Sequence, residues 1–274
     1  MGIDVNTLRA SLLEPRKHLL KQPSDEHLLY KIMSVENFDR SLEGNYLYFN
    51  KVDSYSDFPG ADAFDSSQLP LDEQSNKAST FEGNPSFSAF DYYNRCRSRT
   101  YACCFSLNNS KHIWKNYGNS VDSAGKVCLV FNFGRLRNYL NEILQRGGLL
   151  YRGVSICPLF SIDYGIVDYV ERNQAFANQP YLPNPMTYVY LKDRRYESEA
   201  EFRIALSAVG IGHFALGNGE LIEFGQYLEF AFDFKGAFNV GAIRHLIIEA
   251  ASSKRLVNLL VQALGKRKIE TVFE

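Results

Sequence analysis

The chain has 274 residues, of which 45% are hydrophobic and 22% charged, a composition typical of a globular protein that can bury a large core. Its formal net charge of −1 predicts neither a basic nucleic-acid-binding patch nor a membrane partner, and no stretch approaches the 18 apolar residues of a transmembrane helix. The cysteines include no C-x-x-C pair and the N-terminus has no apolar signal run, so we expect reduced thiols and a cytoplasmic protein.

The first 50 residues predict an N-terminal arm followed by a strand, a helix and a second strand. Residues 1–25 are expected to form an arm or short helix that prolines interrupt. The first strand covers residues 27–33, Ser34 can cap the helix, and Gly44 can end it. The second strand covers residues 46–50.

A long segment rich in serine, aspartate, proline and glycine follows. Residues 51–95 are predicted to form an irregular insertion, because this composition favours turns and loops. Loops of this length inside a compact domain are usually functional or disordered. The aromatic residues that recur within the segment argue against full disorder.

The middle of the chain shows regular elements again. A buried strand is predicted over residues 100–106, followed by a short helix that Ser110 caps and Gly118 ends. Residues 126–133 predict a further strand, and residues 135–145 carry the apolar stripe of an amphipathic helix.

Strands dominate the last part of the chain. One or two strands are expected within residues 154–170, and a loop rich in proline and asparagine over 172–187. The remaining predictions are strands over 196–207, 220–223, 227–234, 244–250 and 268–273, and a helix over 252–264. Because strands outnumber helices and do not alternate with them, we predict a single α+β domain over residues 1–274, with a central, mostly antiparallel sheet and peripheral helices.

The stretch 196–207, YESEAEFRIALS, carries the strongest functional signal. Apolar residues alternate there with Glu199, Glu201 and Arg203, a period of two that predicts a half-buried strand. Two glutamates at i and i+2 would lie roughly 7 Å apart on one face. This row fits an active-site wall, and it fits equally a solvated face stabilised by a charge pair.

Several common sites are not supported by the sequence. Residues 212–217 have the glycine spacing of a phosphate-binding loop but lack the lysine and hydroxyl residue that follow it. The histidines are scattered, so no metal site is predicted. Trp114 and Tyr117, three residues apart on the short helix, can be core anchors or an aromatic wall for a flat ring.

The motifs together resemble a bacterial family known as domain of unknown function 2971. The resemblance runs from residue 28 to about residue 206. Its motifs are Leu29-Tyr30-Lys31, Phe49-Asn50 with Ser56-Asp57-Phe58, Cys104-Phe105-Ser106, Trp114-x-x-Tyr117-Gly118 with the following strand, and Glu199-x-Glu201-Phe202-Arg203.

The layout is also similar to that of ADP-ribosyltransferases, which cleave the nicotinamide–ribose bond of NAD through a transition state with oxocarbenium character. The resemblance implies an ADP-ribosyltransferase-like fold and NAD as substrate. It makes Glu201 the catalytic carboxylate and Glu199 the group that orients the acceptor, with Ser106 supplying a hydroxyl from the middle strand. It further implies that Tyr30 or Lys31 contacts NAD, that Trp114 or Tyr117 stacks on a ring, and that Arg203 binds a phosphate or pairs with a glutamate.

The sequence leaves three functions open. An NAD-consuming enzyme, such as a bacterial toxin or phage-defence effector, would act on an acceptor that is a protein, a nucleic acid or a small molecule. A non-catalytic domain would bind a nucleotide or peptide in the same cleft. A metal-independent hydrolase or nuclease would use Glu199 and Glu201 as an acid/base pair, without NAD.

Overall fold

The computed structural model describes residues 13–15, 17–57, 61–119, 125–146, 149–151, 154–156, 160–173, 186–208, 214–215, 221–222, 225–249 and 269–272. The helices are α1 Val35–Gly44, α2 Pro70–Ala78, α3 Ala89–Arg97, α4 Lys111–Asn116, α5 Phe133–Gln145 and α6 Phe234–Asn239. Short 3-10 helices cover Val52–Asp57, Tyr188–Tyr190 and Arg194–Glu199. The first strands are β1 Leu28–Ser34, β2 Tyr46–Lys51, β3 Thr80–Phe81, β4 Asn84–Ser88, β5 Thr100–Ser106, β6 Lys126–Asn132, β7 Leu149–Tyr151 and β8 Val154–Ile156. The later strands are β9 Phe160–Ile166, β10 Asp168–Val170, β11 Leu191–Asp193, β12 Glu201–Ala208, β13 Phe214–Ala215, β14 Leu221–Ile222, β15 Tyr227–Ala231, β16 Ile243–Glu249 and β17 Ile269–Val272.

Eleven of the described strands form one large sheet, ordered β17-β16-β6-β1-β5-β2-β15-β7-β8, with β12 pairing to β5 and to β9. All its pairs are antiparallel except β16 with β17. The predicted α+β fold, with a mostly antiparallel central sheet and peripheral helices, is therefore confirmed. Within the described part of the chain, no helix is long and apolar enough to cross a membrane.

The sequence patterns explain the central elements. Every residue of β6 is buried, as its nearly continuous apolar run requires. Helix α5 follows directly and buries Leu136, Leu140 and Leu144, which recur every four residues along one side. Ser34 caps α1 by accepting a hydrogen bond from the Asn37 amide, as predicted, whereas the left-handed C-cap is Asn45 rather than Gly44.

The sheet divides at β5, and this division positions the cavity described below. One edge of β5 pairs with β12 along its whole length. Its other edge is shared, because β1 pairs with it only at Ser106 and β2 pairs with it only at Ala102 and Tyr101. Strands β1 and β2 therefore diverge around Cys104, and we call the opening between them the fork.

The prediction that residues 51–95 form an irregular insertion is wrong for most of this range. It contains a 3-10 helix, α2, the β3–β4 hairpin and α3. Helix α2 has Pro70 at its first turn, and α3 begins with a reciprocal capping box between Ser88 and Asp91. Both helices are short and largely polar, so they lack the apolar periodicity that identified the other helices.

The stretch around the paired glutamates also differs from its prediction. Strand β12 begins only at Glu201, since the preceding residues form a 3-10 helix and Ala200 adopts a left-handed conformation with φ of 45°. Both faces of β12 are buried, so the predicted half-buried strand is wrong, and of the two interpretations of its polar face the solvated one is excluded. A second layer that includes Tyr55, Met186 and Val189 covers the face that carries Glu201 and Arg203.

The predicted bounds of other elements agree with the observed bounds within a few residues. These elements include β1, β2, β5, β6, β15 and β16. Helix α6 was not predicted. The arm over residues 1–12, most of the loop over 172–187 and the helix over 252–264 lie outside the described residues.

Candidate functional site

Three residues named from the sequence fall on one transverse row of the sheet. Tyr30 on β1 is the register partner of Ser106 on β5, and Ser106 is the register partner of Glu201 on β12. Directly opposite residues of antiparallel strands point to the same face. The sheet therefore brings together three side chains that are up to 171 residues apart in the sequence.

This row borders a cavity of about 880 Å³ that extends into the fork. The cavity is also lined by the 3-10 helix before β12 and by helix α4. Six of the eight candidate site residues predicted from the sequence line it: Tyr30, Lys31, Ser106, Tyr117, Glu199 and Glu201. Trp114 and Arg203 do not line it.

Arg203 lies beneath the cavity wall and is completely buried. Its guanidinium donates to both carboxylate oxygens of Asp65 at 2.7 Å each, and to both oxygens of Glu201 at 2.8 and 3.0 Å. It also donates to the Ser66 hydroxyl and the Val189 carbonyl. The predicted phosphate contact is therefore wrong, because no part of the Arg203 side chain is exposed. The alternative prediction, that Arg203 pairs with a glutamate, is confirmed.

Lys192 on β11 lies between the two glutamates. Its ammonium nitrogen is 2.5 Å from Glu199 Oε2, 3.1 Å from Glu201 Oε2 and 3.6 Å from Asp65 Oδ2. The site thus packs three carboxylates against two cations in nearly complete burial. Sequence reasoning missed Lys192 and Asp65, because neither belongs to a motif and only the tertiary fold brings them to β12.

The two glutamates differ in their ionisation. Burial alone would raise the pKa of Glu201, but Arg203 and Lys192 hold that pKa well below its usual range. Burial raises the pKa of Glu199, and the nearby charge of Glu201 raises it too, while Lys192 opposes both effects without cancelling them. Glu201 is therefore a fixed negative charge, and Glu199 takes up a proton more readily than an ordinary glutamate.

Ser106 fixes the backbone that carries Glu199. Its hydroxyl lies 2.8 Å from the Glu199 carbonyl oxygen, to which it donates, and it accepts a hydrogen bond from the Asn108 amide. The adjacent Leu107 amide donates to the Ala200 carbonyl. These contacts hold the turn that moves Glu199 off the strand and into the cavity wall.

The two aromatic candidates have different positions. Tyr117 lines the cavity next to the glutamates; burial, followed by the charges of Glu199 and Glu201, raises its pKa and keeps its hydroxyl neutral. Trp114 instead packs against Cys128, Val130 and Ile247, and its indole donates to Asn109. Of the pair, Tyr117 is the residue placed to contact a ring in the cavity.

Lys31 reaches across the fork from β1. Its ammonium donates to the Cys104 carbonyl at 3.2 Å and lies over the Phe105 ring. No carboxylate of the described residues lies within ion-pair distance of it, in contrast to Lys192. Among the described residues, no cluster of histidine, cysteine and acidic side chains is arranged to hold a metal ion.

No protein-family model matches the chain, and a search of curated proteins finds no significant relative. The resemblance to domain of unknown function 2971 and to ADP-ribosyltransferases therefore stays a prediction based on the motifs themselves.

Proposed function

We propose that this protein is an NAD-consuming, ADP-ribosyltransferase-like enzyme. The observation that carries the proposal is the row of Tyr30, Ser106 and Glu201 on three adjacent strands at the wall of one cavity. The cavity volume of about 880 Å³ lies within the range of sites for small molecules and cofactors. Membership of the unknown-function family, and a role as a toxin or phage-defence effector, are parts of the same proposal.

The chemistry assigns different roles to the two glutamates. The bond between the ribose carbon and the nicotinamide nitrogen breaks, and its electron pair leaves with neutral nicotinamide. Glu201, a permanent carboxylate, stabilises the positive charge that develops on the ribose. The acceptor then attacks the ribose carbon, and Glu199 takes the proton that the acceptor loses.

The acceptor would approach over the 3-10 helix that carries Glu199. Ser198 and His112 lie at this rim, with the Ser198 hydroxyl 3.3 Å from the closer nitrogen of the imidazole. Both line the cavity. Polar groups at this position suit a hydroxyl or amine acceptor, on a protein, a nucleic acid or a small molecule.

The test is nicotinamide release from NAD by the purified chain, with cell extract as a source of acceptors. Glu201→Gln keeps the shape of the side chain and removes its charge, so we expect release to fall by a factor of 100 or more, on the order expected for loss of one electrostatic group. Glu14→Gln is a matched control, because Glu14 is also largely shielded from solvent and paired with an arginine, Arg137, but does not line the cavity. No release by the native chain would refute the proposal.

A second function is favoured by the opposite pKa shifts of Glu199 and Glu201, since such pairs often serve as base and acid. A metal-independent hydrolase would then cleave glycosidic or phosphodiester substrates without NAD and in the presence of a chelator. Ligand binding that survives Glu201→Gln, with no turnover by the native chain, would instead identify a binding domain.

A further inference from the structure

A second aromatic surface borders the same cavity, away from the glutamates. Tyr48 on β2 lines the cavity, and its ring stacks on that of Tyr227 on β15, with centroids 4.6 Å apart and planes 23° apart. Tyr48 is 37% exposed and Tyr227 is 47% exposed. An open, ordered aromatic surface beside a cavity is typical of a binding site.

Tyr48 and Tyr117 occupy different ends of the cavity. The titratable groups that raise the pKa of Tyr117 include Glu199 and Glu201, whereas those near Tyr48 are Tyr227, Tyr46, Glu229 and Arg40. Strand β2 is two strands away from β12 across β5, which separates the two sites by roughly 10 Å in the hydrogen-bonding direction. The cavity therefore has two aromatic walls rather than one.

Lys31 provides a cation inside the fork, which opens between the strands that carry Tyr30 and Tyr48. Its ammonium contacts the Cys104 carbonyl, the Cys103 side chain and the Phe105 ring face, and no carboxylate of the described residues pairs with it, so its charge can attract an anionic ligand. Two flat rings joined by a negatively charged linker match this arrangement of ring, cation and ring. A dinucleotide has this structure.

We infer that Tyr48, held in place by Tyr227, is the stacking site for the adenine base of a dinucleotide. The diphosphate then passes Lys31, and the nicotinamide end reaches Tyr117 and Glu201. The identity of the dinucleotide rests on the proposed NAD-cleaving function. Burial, together with neighbouring Tyr227, raises the pKa of Tyr48 to about 12, so the ring stays neutral at physiological pH.

Binding of ADP to the full chain, measured by calorimetry, tests the stacking site without any turnover. Tyr48→Ala should weaken binding between about 5-fold and 150-fold, the range expected when one base loses an aromatic partner. Tyr48→Phe keeps the ring and should bind ADP like the native chain. Phe81→Ala removes a comparably exposed ring on the β3–β4 hairpin and should have no effect. Native-like binding of ADP by Tyr48→Ala, or no binding by the native chain, would overturn the inference.

Nicotinamide mononucleotide, which lacks the adenylate, separates this inference from the proposed function. Tyr48→Ala should raise KM for NAD and leave kcat/KM for nicotinamide mononucleotide unchanged. An equal loss on both substrates would assign Tyr48 a purely structural role and overturn the stacking site. If the native chain releases nicotinamide from neither substrate, the proposed function fails, while the ADP measurement still decides whether Tyr48 stacks on a base.

Discussion

Asp65 is expected to be the most sensitive carboxylate for stability in the described part of the chain. It is 3% exposed at its side chain and forms two 2.7 Å hydrogen bonds with Arg203, which has no exposed surface. Asp65→Asn removes the charge but keeps the volume, so Arg203 keeps only Glu201 as a charged partner. Breaking a buried pair in this way costs about 3–5 kcal/mol, because the fully buried guanidinium loses its two charge-assisted hydrogen bonds to Asp65 and gains no solvent contact in return.

Urea denaturation, followed by circular dichroism, measures this loss as a change in the free energy of unfolding. The corresponding fall in Tm is roughly 6–15 °C, at about 2–3 °C per kcal/mol for a chain of this size. Glu73→Gln is the matched control, since Glu73 forms an exposed pair with Lys77 and should cost less than about 1 kcal/mol. A loss below about 1 kcal/mol for Asp65→Asn would show that Glu201 alone compensates Arg203, and would refute the reasoning.

Three further predictions concern the glutamate pair. The pKa of Glu201 is lowered in the folded chain, so its contribution to stability is present above the unfolded value of about 4.3 and is lost as the pH falls towards the folded value. Acid unfolding curves of Glu201→Gln should therefore be less steep below pH 4.3 than those of the native chain, and equal slopes would contradict this. Lys192→Met removes the cation that lowers the pKa of Glu199, so the acid limb of kcat/KM for nicotinamide release should move to higher pH. An unmoved limb would exclude Glu199 as the proton acceptor. Ser106→Ala removes the hydrogen bond to the Glu199 carbonyl and should cost about 1–3 kcal/mol in denaturant titrations. It should also reduce nicotinamide release, and full activity would show that the turn is held without Ser106.

Much of the sheet was predictable because its signals are local. The apolar runs of β5 and β6 and the serine cap of α1 each depend on a few neighbouring residues, and the structure confirms them. Helices α2 and α3 were missed because both are short and largely polar, so neither carries a long apolar stripe. Such features are difficult to distinguish from loops by periodicity alone.

The sequence alone determined the α+β class and the choice of the candidates Glu199, Glu201, Ser106 and Tyr30. Both depend on strand alternation and short motifs, which involve only neighbouring residues. Only the tertiary structure decided that these residues meet at one cavity, since the register of β1, β5 and β12 joins distant segments. It also decided that Arg203 is a buried partner rather than a phosphate ligand. The reason is that Asp65 is 138 residues from Arg203 in the sequence, and a local sequence pattern does not predict a contact over that separation.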